Sequence, residues 1–247
     1  MKQKIKIINF IVAITILVGL FGNNFNFSKA YQKSITISSD QKMLKLSNVS
    51  SKVPKYTGKD YIILNDNIPN FNDKDLTTNS FENYSLLDEL GRCGVAYANI
   101  GRDLMPNSKR KPIGSVKPSG WHSKKYDIVD GKYLYNRCHL IGFQLTAENA
   151  NKKNLITGTR YLNTKLMLPY ENMVADYIKE TGNHVLYRVT PVFEGNNLVA
   201  TGVQMEAKSV EDNGKSIQFN VFLYNVQPGI SINYKDGTSE KINQINI

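Results

Sequence analysis

From residue 60 onward, the chain alternates between short hydrophobic runs and clusters of turn-forming residues. "DYIILNDNIPNF" gives an apolar strand over Tyr61 to Leu64 and a turn at Pro69. "LGRCGVAYANIG" shows period-two alternation through Val95, Tyr97 and Asn99 between Gly94 and Gly101, which predicts a core strand. "MPNSKRKPIGSVKPSGW" predicts a basic loop leading into a short strand that ends at Gly120-Trp121. Three longer strand patterns finish the chain: "HVLYRVTPVF", "LVATGVQMEAKSV" and "SIQFNVFLYNV". Gly and Asn turns separate them, so an antiparallel meander is the simplest arrangement.

One stretch has helical periodicity instead. Pro169 suits a first helical turn, Met173, Val174, Tyr177 and Ile178 form an apolar stripe, and Gly182 is a stop signal. No internal repeat is apparent. The 217 residues from Tyr31 onward suit one α/β or α+β domain or two small ones.

The N-terminus reads differently. Lys2, Lys4 and Lys6 precede a mostly apolar run from Ile7 to Phe21, followed by Ser28-Lys29-Ala30. This is the pattern of a secretory signal peptide over residues 1–30, and the run is shorter than the roughly 20 residues of a spanning helix. The expectation is a secreted protein with no membrane attachment after cleavage. Residues 31–59 are rich in Ser and Lys and read as a flexible arm, leaving 60–247 as the folded domain.

The formal charge of the whole sequence is +10. The first thirty residues contain four lysines and no acid, so the remainder carries +6, which favours an anionic partner without naming one. The only cysteines are Cys93 and Cys138, which excludes a disulfide scaffold and fits no zinc motif; one bridge or two free thiols are both compatible with the sequence.

The segment "LYNRCHLIGFQLTAENANKKNLITGTRYLNTKLMLPYENM" concentrates the candidate chemistry. His139 offers an imidazole that is half-neutral near pH 6.5 and can accept a proton from water. Cys138 is no nucleophilic partner for it, because consecutive side chains of an extended segment point to opposite faces. Asn163 offers a hard carbonyl oxygen of the kind Mg²⁺ accepts alongside its waters, and Glu171 can orient such waters. Pro169 is expected to interrupt the chain between them, so that Asn163 sits in a loop or short turn and Glu171 opens a new helix. Each residue also has an ordinary reading: the asparagines as turn formers, Glu171 as a helix-dipole partner, and Arg137 as half of an ion pair.

The segment resembles the DNA/RNA non-specific endonucleases with a ββα-metal (His-Me finger) site. Their signature is Asp-Arg-Gly-His, then two asparagines nine positions apart, then a downstream helical glutamate. "NRCH" matches at Arg137 and His139, and Asn154, Asn163 and Glu171 fall on the later positions. Flanking segments, including "KPSGW", "YRVTPVF" and "FNVFLYNVQPGI", are similar to the streptococcal secreted deoxyribonucleases (streptodornases) of that family, from Tyr61 to Gly237. Two positions depart from the signature. Asn136 replaces Asp and removes a carboxylate, and Cys138 replaces Gly, so that a positive φ there would cost energy.

The resemblance implies an α+β fold, a central antiparallel β-sheet with a ββα-metal (His-Me finger) element docked on one face, and a Mg²⁺-dependent endonuclease acting on DNA, with RNA left open. His139 would be the general base and Asn163 the ligand of one Mg²⁺, for which Mn²⁺ can substitute. Glu171 would hold metal-bound waters, Asn154 would support the histidine or phosphate, and Arg137 would contact phosphate or brace the site. Products would carry a 5′ phosphate and a 3′ hydroxyl, and the protein would act as a monomer. The basic residues at 109–111, 152 and 153, together with Lys124, Lys125 and Arg160, offer a substrate track. The last three are the ones selected as substrate-binding. The alternative is a secreted non-enzymatic mitogen or binding effector in which "NRCH" is a decayed site.

Overall fold

The computed structural model describes residues 53–242, so the signal-peptide segment and most of the N-terminal arm lie outside the described residues. Ten strands are present: β1 (Tyr61–Ile63), β2 (Phe81–Tyr84), β3 (Ala96–Ile100), β4 (Tyr135–His139), β5 (Leu155–Thr159), β6 (Val185–Val192), β7 (Gly202–Ser209), β8 (Gln218–Tyr224), β9 (Ile230–Ile232) and β10 (Ser239–Lys241). Two α-helices accompany them, α1 (Phe143–Thr146) and α2 (Leu168–Thr181).

Six strands form one antiparallel sheet in the order β1-β8-β7-β6-β3-β2. The expected meander is its centre, β6-β7-β8, and both faces of these strands are covered. The period-two pattern assigns the two faces. Tyr187, Val203, Met205, Phe219, Val221 and Leu223 join the main hydrophobic core with Val174, Ala175 and Ile178 of α2. The opposite face is mixed: Val192, Phe222 and Tyr224 form a smaller apolar cluster with Ile62 and Leu64, and its polar groups bond the chain between β1 and β2. Glu206 receives Arg188 Nε at 2.7 Å and the Asn70 N–H at 2.9 Å. Asn99 donates to the carbonyls of Thr77 and Asn79.

The second unit of the fold carries the signature. β4 and β5 pair antiparallel, with His139 opposite Leu155 and Asn136 opposite Gly158, and they dock on the same sheet face as α2. A Cβ on Gly158 would lie 2.5 Å from the Cys138 Cβ. The bare glycine is what lets the Cys138 side chain fill that place. Cys138 is absent from the positive-φ residues, sits in a regular strand and packs its Sγ 3.5 Å from Met167 Sδ, so replacing Gly brings no backbone strain here. Both cysteines are free and buried.

Three local expectations are corrected. No strand ends at Gly120-Trp121: Gly120 has φ 64° and the Trp121 N–H closes a turn on Pro118 O. Met173 is 48% exposed, and the buried face of α2 is instead Glu171, Val174, Ala175 and Ile178. Pro169 does not interrupt the chain. A π-helical turn over Leu162–Met167 runs straight into α2, with helical dihedrals at Tyr161, Met167 and Leu168. Eight positions advance an α-helix by roughly 80°, and the extra residue of a π turn removes about 100° of that. Asn163 and Glu171 therefore share one helix face.

Candidate active site

Along β4 His139 and Arg137 point one way and Cys138 the other, while Asn136, on the Cys138 side, reaches the cleft edge beside Asn163. His139 and Arg137 face a cleft of about 810 Å³, whose walls also include Arg110, Trp121, Asn136, Asn163, Arg160 and Glu171. Cys138 faces the core, as the alternation requires.

His139 is 6% exposed. Its Nε2 lies 2.8 Å from the Asn149 carbonyl, which can only accept, so Nε2 carries the proton and Nδ1 presents its lone pair to the cleft. Arg110 Nη2 approaches that Nδ1 at 3.4 Å. Burial first, and then the Arg110 charge, hold the imidazole pKa down at about 4 against the pull of the carbonyl bonds. The ring is thus neutral at physiological pH.

Asn163 donates its Nδ2 to Asn136 Oδ1 at 3.3 Å, and its Oδ1 has no partner among the described residues. Glu171 is buried at the start of α2, with its carboxyl group against the Gly142 backbone. Burial raises its pKa to about 7, more than Gly142 and Arg110 lower it. A Cβ on Gly142 would stand 2.8 Å from the Glu171 carboxyl atoms, so the bare glycine lets the carboxyl group sit where it does.

Arg137 does not point free into the cleft. It donates to the carbonyls of Val116 and Gly114 and lies 4.1 Å over the Trp121 ring. It thereby clamps the basic loop that carries Arg110 to His139. Asn154 has no exposure, and its amide bonds both the N–H and the C=O of Ile141 at 2.9 Å. It fixes the backbone between His139 and Gly142 from beneath the cleft. Arg160 lines the cleft while paired to Asp130 at 2.9 Å. Lys124 and Lys125 lie outside it, over the rings of Tyr126 and Tyr133.

The structure thus brings His139, Arg137, Asn163, Glu171 and Arg160 to one cleft and puts Asn154 under it. Sequence reasoning gave Arg110 no role beyond a basic track and overlooked Gly142 and the Asn149 carbonyl. A backbone acceptor has no side-chain signal. Only "KRK" hinted at Arg110, and nothing in it singled out the middle residue.

The family model for the DNA/RNA non-specific endonucleases matches residues 70–211, more than half of the chain. The chain belongs to this family. Among solved structures it is similar to NucA from Streptococcus agalactiae with a magnesium ion bound, at 25% identity and a TM-score of 0.64. That match covers 73% of this chain and 87% of NucA. It is also similar to the Sda1 nuclease with a bound zinc ion, at 25% identity and a TM-score of 0.61, covering 74% of this chain and 97% of Sda1. A third, an extracellular endonuclease at 20% identity and a TM-score of 0.53, shares the fold. The protein is accordingly a nuclease, a phosphodiester hydrolase, on the ββα-metal fold.

The residues present suit a hard divalent cation. Asn163 Oδ1 is a carbonyl oxygen with no hydrogen-bond partner among the described residues, and Glu171 is a buried carboxyl group on the same cleft. Among the described residues no group of three or more His, Cys, Asp or Glu side chains converges. Such a sparse oxygen set fits an ion that keeps most of its own waters, as Mg²⁺ does.

Proposed function

We propose that the protein is a secreted endonuclease that hydrolyses DNA without sequence preference, using a neutral histidine as base and one Mg²⁺. The observation that carries this reading is the pairing across one cleft of a neutral His139, its Nδ1 lone pair inward, with the Oδ1 of Asn163. Secretion is supported by the sequence pattern of residues 1–30.

His139 Nδ1 takes the proton of the attacking water, and the Asn149 carbonyl stabilises the imidazolium that forms. With no substrate present, Arg110 leans on Nδ1. An entering phosphate draws the guanidinium toward its own oxygens, which frees Nδ1 for the water and puts positive charge where negative charge grows. Asn163, its amide turned by Asn136, and Glu171 would hold the cation or its waters. When bound, that ion neutralises charge on the phosphate and the leaving 3′ oxygen. Arg137 acts as a brace, holding Val116 and Gly114 so that Arg110 stays over the site. The products are a 5′ phosphate and a 3′ hydroxyl. The groups described in the cleft address phosphate and water, and phosphate contacts carry no sequence information.

Incubating the mature protein with supercoiled plasmid in Mg²⁺, in Mn²⁺ and in EDTA tests this reading. Nicking and linearisation in both ions and none in EDTA is the expected result. Intact plasmid with every cation would leave the non-enzymatic effector as the better account.

A further inference from the structure

The cleft does not end at the catalytic groups. Continuing along the strand face from His139 and Arg137, the next outward residues are Tyr135 and Tyr133. Tyr135 turns under the surface, where its hydroxyl bonds Gly237 O, whereas Tyr133 is 47% exposed at the rim. Leu134 bends the chain between Tyr133 and β4, and six residues at full extension bound the distance from Tyr133 to His139 at roughly 20 Å.

Tyr133 belongs to a hairpin. Lys125 bridges it, the Tyr126 N–H bonds Lys132 O, and the Leu134 N–H bonds Lys124 O. Its turn has positive φ at Gly131 and Lys132. The hairpin is anchored through Val129 and Leu134, packed with Tyr135 and Ile230, and through the Tyr126 hydroxyl, 3.0 Å from Ser239 Oγ. This is a fixed surface, not a loose loop.

Beyond Tyr133 lies a second hollow of about 460 Å³, lined by Lys125, Tyr126, Asp127, Ile128, Lys132 and Lys241. Three lysines face one aspartate there. The two hollows share a wall: Tyr133 lines the cleft, Lys125 lines the second hollow, and the Lys125 ammonium sits 4.6 Å over the Tyr133 ring. An exposed aromatic ring flanked by lysines, at the rim of a phosphate-cleaving site, suits a strand whose bases are unpaired. A base in a duplex keeps its faces inside the stack, whereas a free base can lie on an aromatic ring while lysines hold the backbone beside it.

We propose that the hairpin Lys124–Leu134 is a guide for single-stranded nucleic acid leaving the cleft, on which Tyr133 stacks with a base and Lys125 and Lys241 hold the adjoining phosphates. The proposal rests on the nuclease reading and adds to it a preference for unpaired strands.

Fluorescence anisotropy on the His139→Ala protein in EDTA, with a labelled single-stranded oligonucleotide and a hairpin duplex of matched length, tests it. Tyr133→Ala should weaken single-strand binding about tenfold, with a much smaller effect on the duplex, and Tyr133→Phe should restore it. Lys125→Ala with Lys241→Ala should weaken binding further and flatten the log K against log salt slope by about 0.7 per lysine. Equal single-strand affinity for Tyr133→Ala and its parent overturns the proposal, as do equal losses on both substrates. If the wild-type protein cuts plasmid, such a result sinks only the guide surface. A wild-type protein that neither cuts nor binds nucleic acid would remove the nuclease reading itself.

Discussion

The Nδ2 of Asn163 donates to Asn136 Oδ1 at 3.3 Å, and this contact turns the carbonyl end of the Asn163 amide away from Asn136. Position 136 is where the family signature has Asp. Either side chain offers an acceptor to Nδ2, so Asn136→Asp keeps the orientation and adds a charge. Its rate should stay within about tenfold of wild type, or about 1.4 kcal/mol in barrier. Asn163→Ala removes the oxygen itself and should abolish turnover or sharply raise the cation requirement. Steady-state kinetics against Mg²⁺ concentration, at two salt levels, separates these outcomes. A loss for Asn136→Asp as large as that for Asn163→Ala would mean that position 136 touches the cation or phosphate.

His139→Ala should lower kcat by roughly 10² to 10⁴ while the protein stays folded, the range found on removing a general base. Because burial holds the imidazole at about pH 4, neutral base is already available at pH 6. The acid limb of kcat/KM should therefore lie below the ordinary histidine value near 6.5, and added imidazole should recover part of the rate of the alanine variant. A folded His139→Ala protein that nicks plasmid at the wild-type rate would remove the assignment.

His139 is the one histidine of its segment, but six asparagines and two glutamates share it, so Asn163 and Glu171 were legible only through the match to the family signature. The meander β6-β7-β8 was legible because its period-two pattern is long. β5 was not, since all five of its residues are buried and it shows no alternation to read. The π turn was hidden because Pro169 suggests a break, and only the helix geometry shows how Asn163 and Glu171 reach the same face. Asn154 illustrates the limit of spacing: its position matched the signature, but its side-chain amide bonds the Ile141 backbone beneath the cleft.

That burial of Asn154 predicts a stability effect. Asn154→Ala leaves both the N–H and the C=O of Ile141 unpaired, at a cost of about 3 kcal/mol. For a domain of this size the melting temperature should fall by roughly 10 °C, while kcat, measured well below that temperature, falls far less than in His139→Ala. Differential scanning calorimetry paired with kinetics on one preparation decides it. Wild-type stability with a His139-like loss of rate would place Asn154 among the groups that meet substrate.

The thiols make a redox prediction. Cys93 and Cys138 are free and buried, and burial raises the Cys138 pKa far above the normal thiol range and that of Cys93 to about 12. Neither forms an appreciable thiolate at neutral pH, so both should resist alkylation until the protein unfolds. Activity and melting temperature should be the same with and without dithiothreitol. A mass spectrum of the secreted protein two daltons lighter than the reduced chain would reveal a bridge instead.

Glu171 ties stability to pH in the direction opposite to an ordinary ion-paired carboxylate. Its folded pKa is raised from 4.5 to about 7 by burial, so the folded state holds the proton more tightly than the unfolded chain does. Its contribution is therefore unperturbed below pH 4.5, and stability is lost as pH rises from 4.5 through 7, by about 3 kcal/mol in total. His139 works the other way: with its folded pKa at about 4, stability is lost as pH falls from 6.5 toward 4. The two slopes largely offset one another between 4.5 and 6.5, and above 6.5 only the Glu171 slope remains. In EDTA, the melting temperature should thus decline from pH 6.5 to 8 in the wild-type protein. Glu171→Gln keeps the shape without the charge, should abolish that decline, and should be the more stable of the two at pH 8. Added Mg²⁺ should raise the wild-type melting temperature more at pH 8 than at pH 5, because a cation beside Glu171 stabilises the ionised form, and should do so less in Glu171→Gln. Thermal melts of both proteins at pH 5, 6.5 and 8, with EDTA or Mg²⁺, measure every term. Parallel wild-type and Glu171→Gln curves across that range would show that Glu171 is ionised without cost, and that the site does not hold an uncompensated carboxylate.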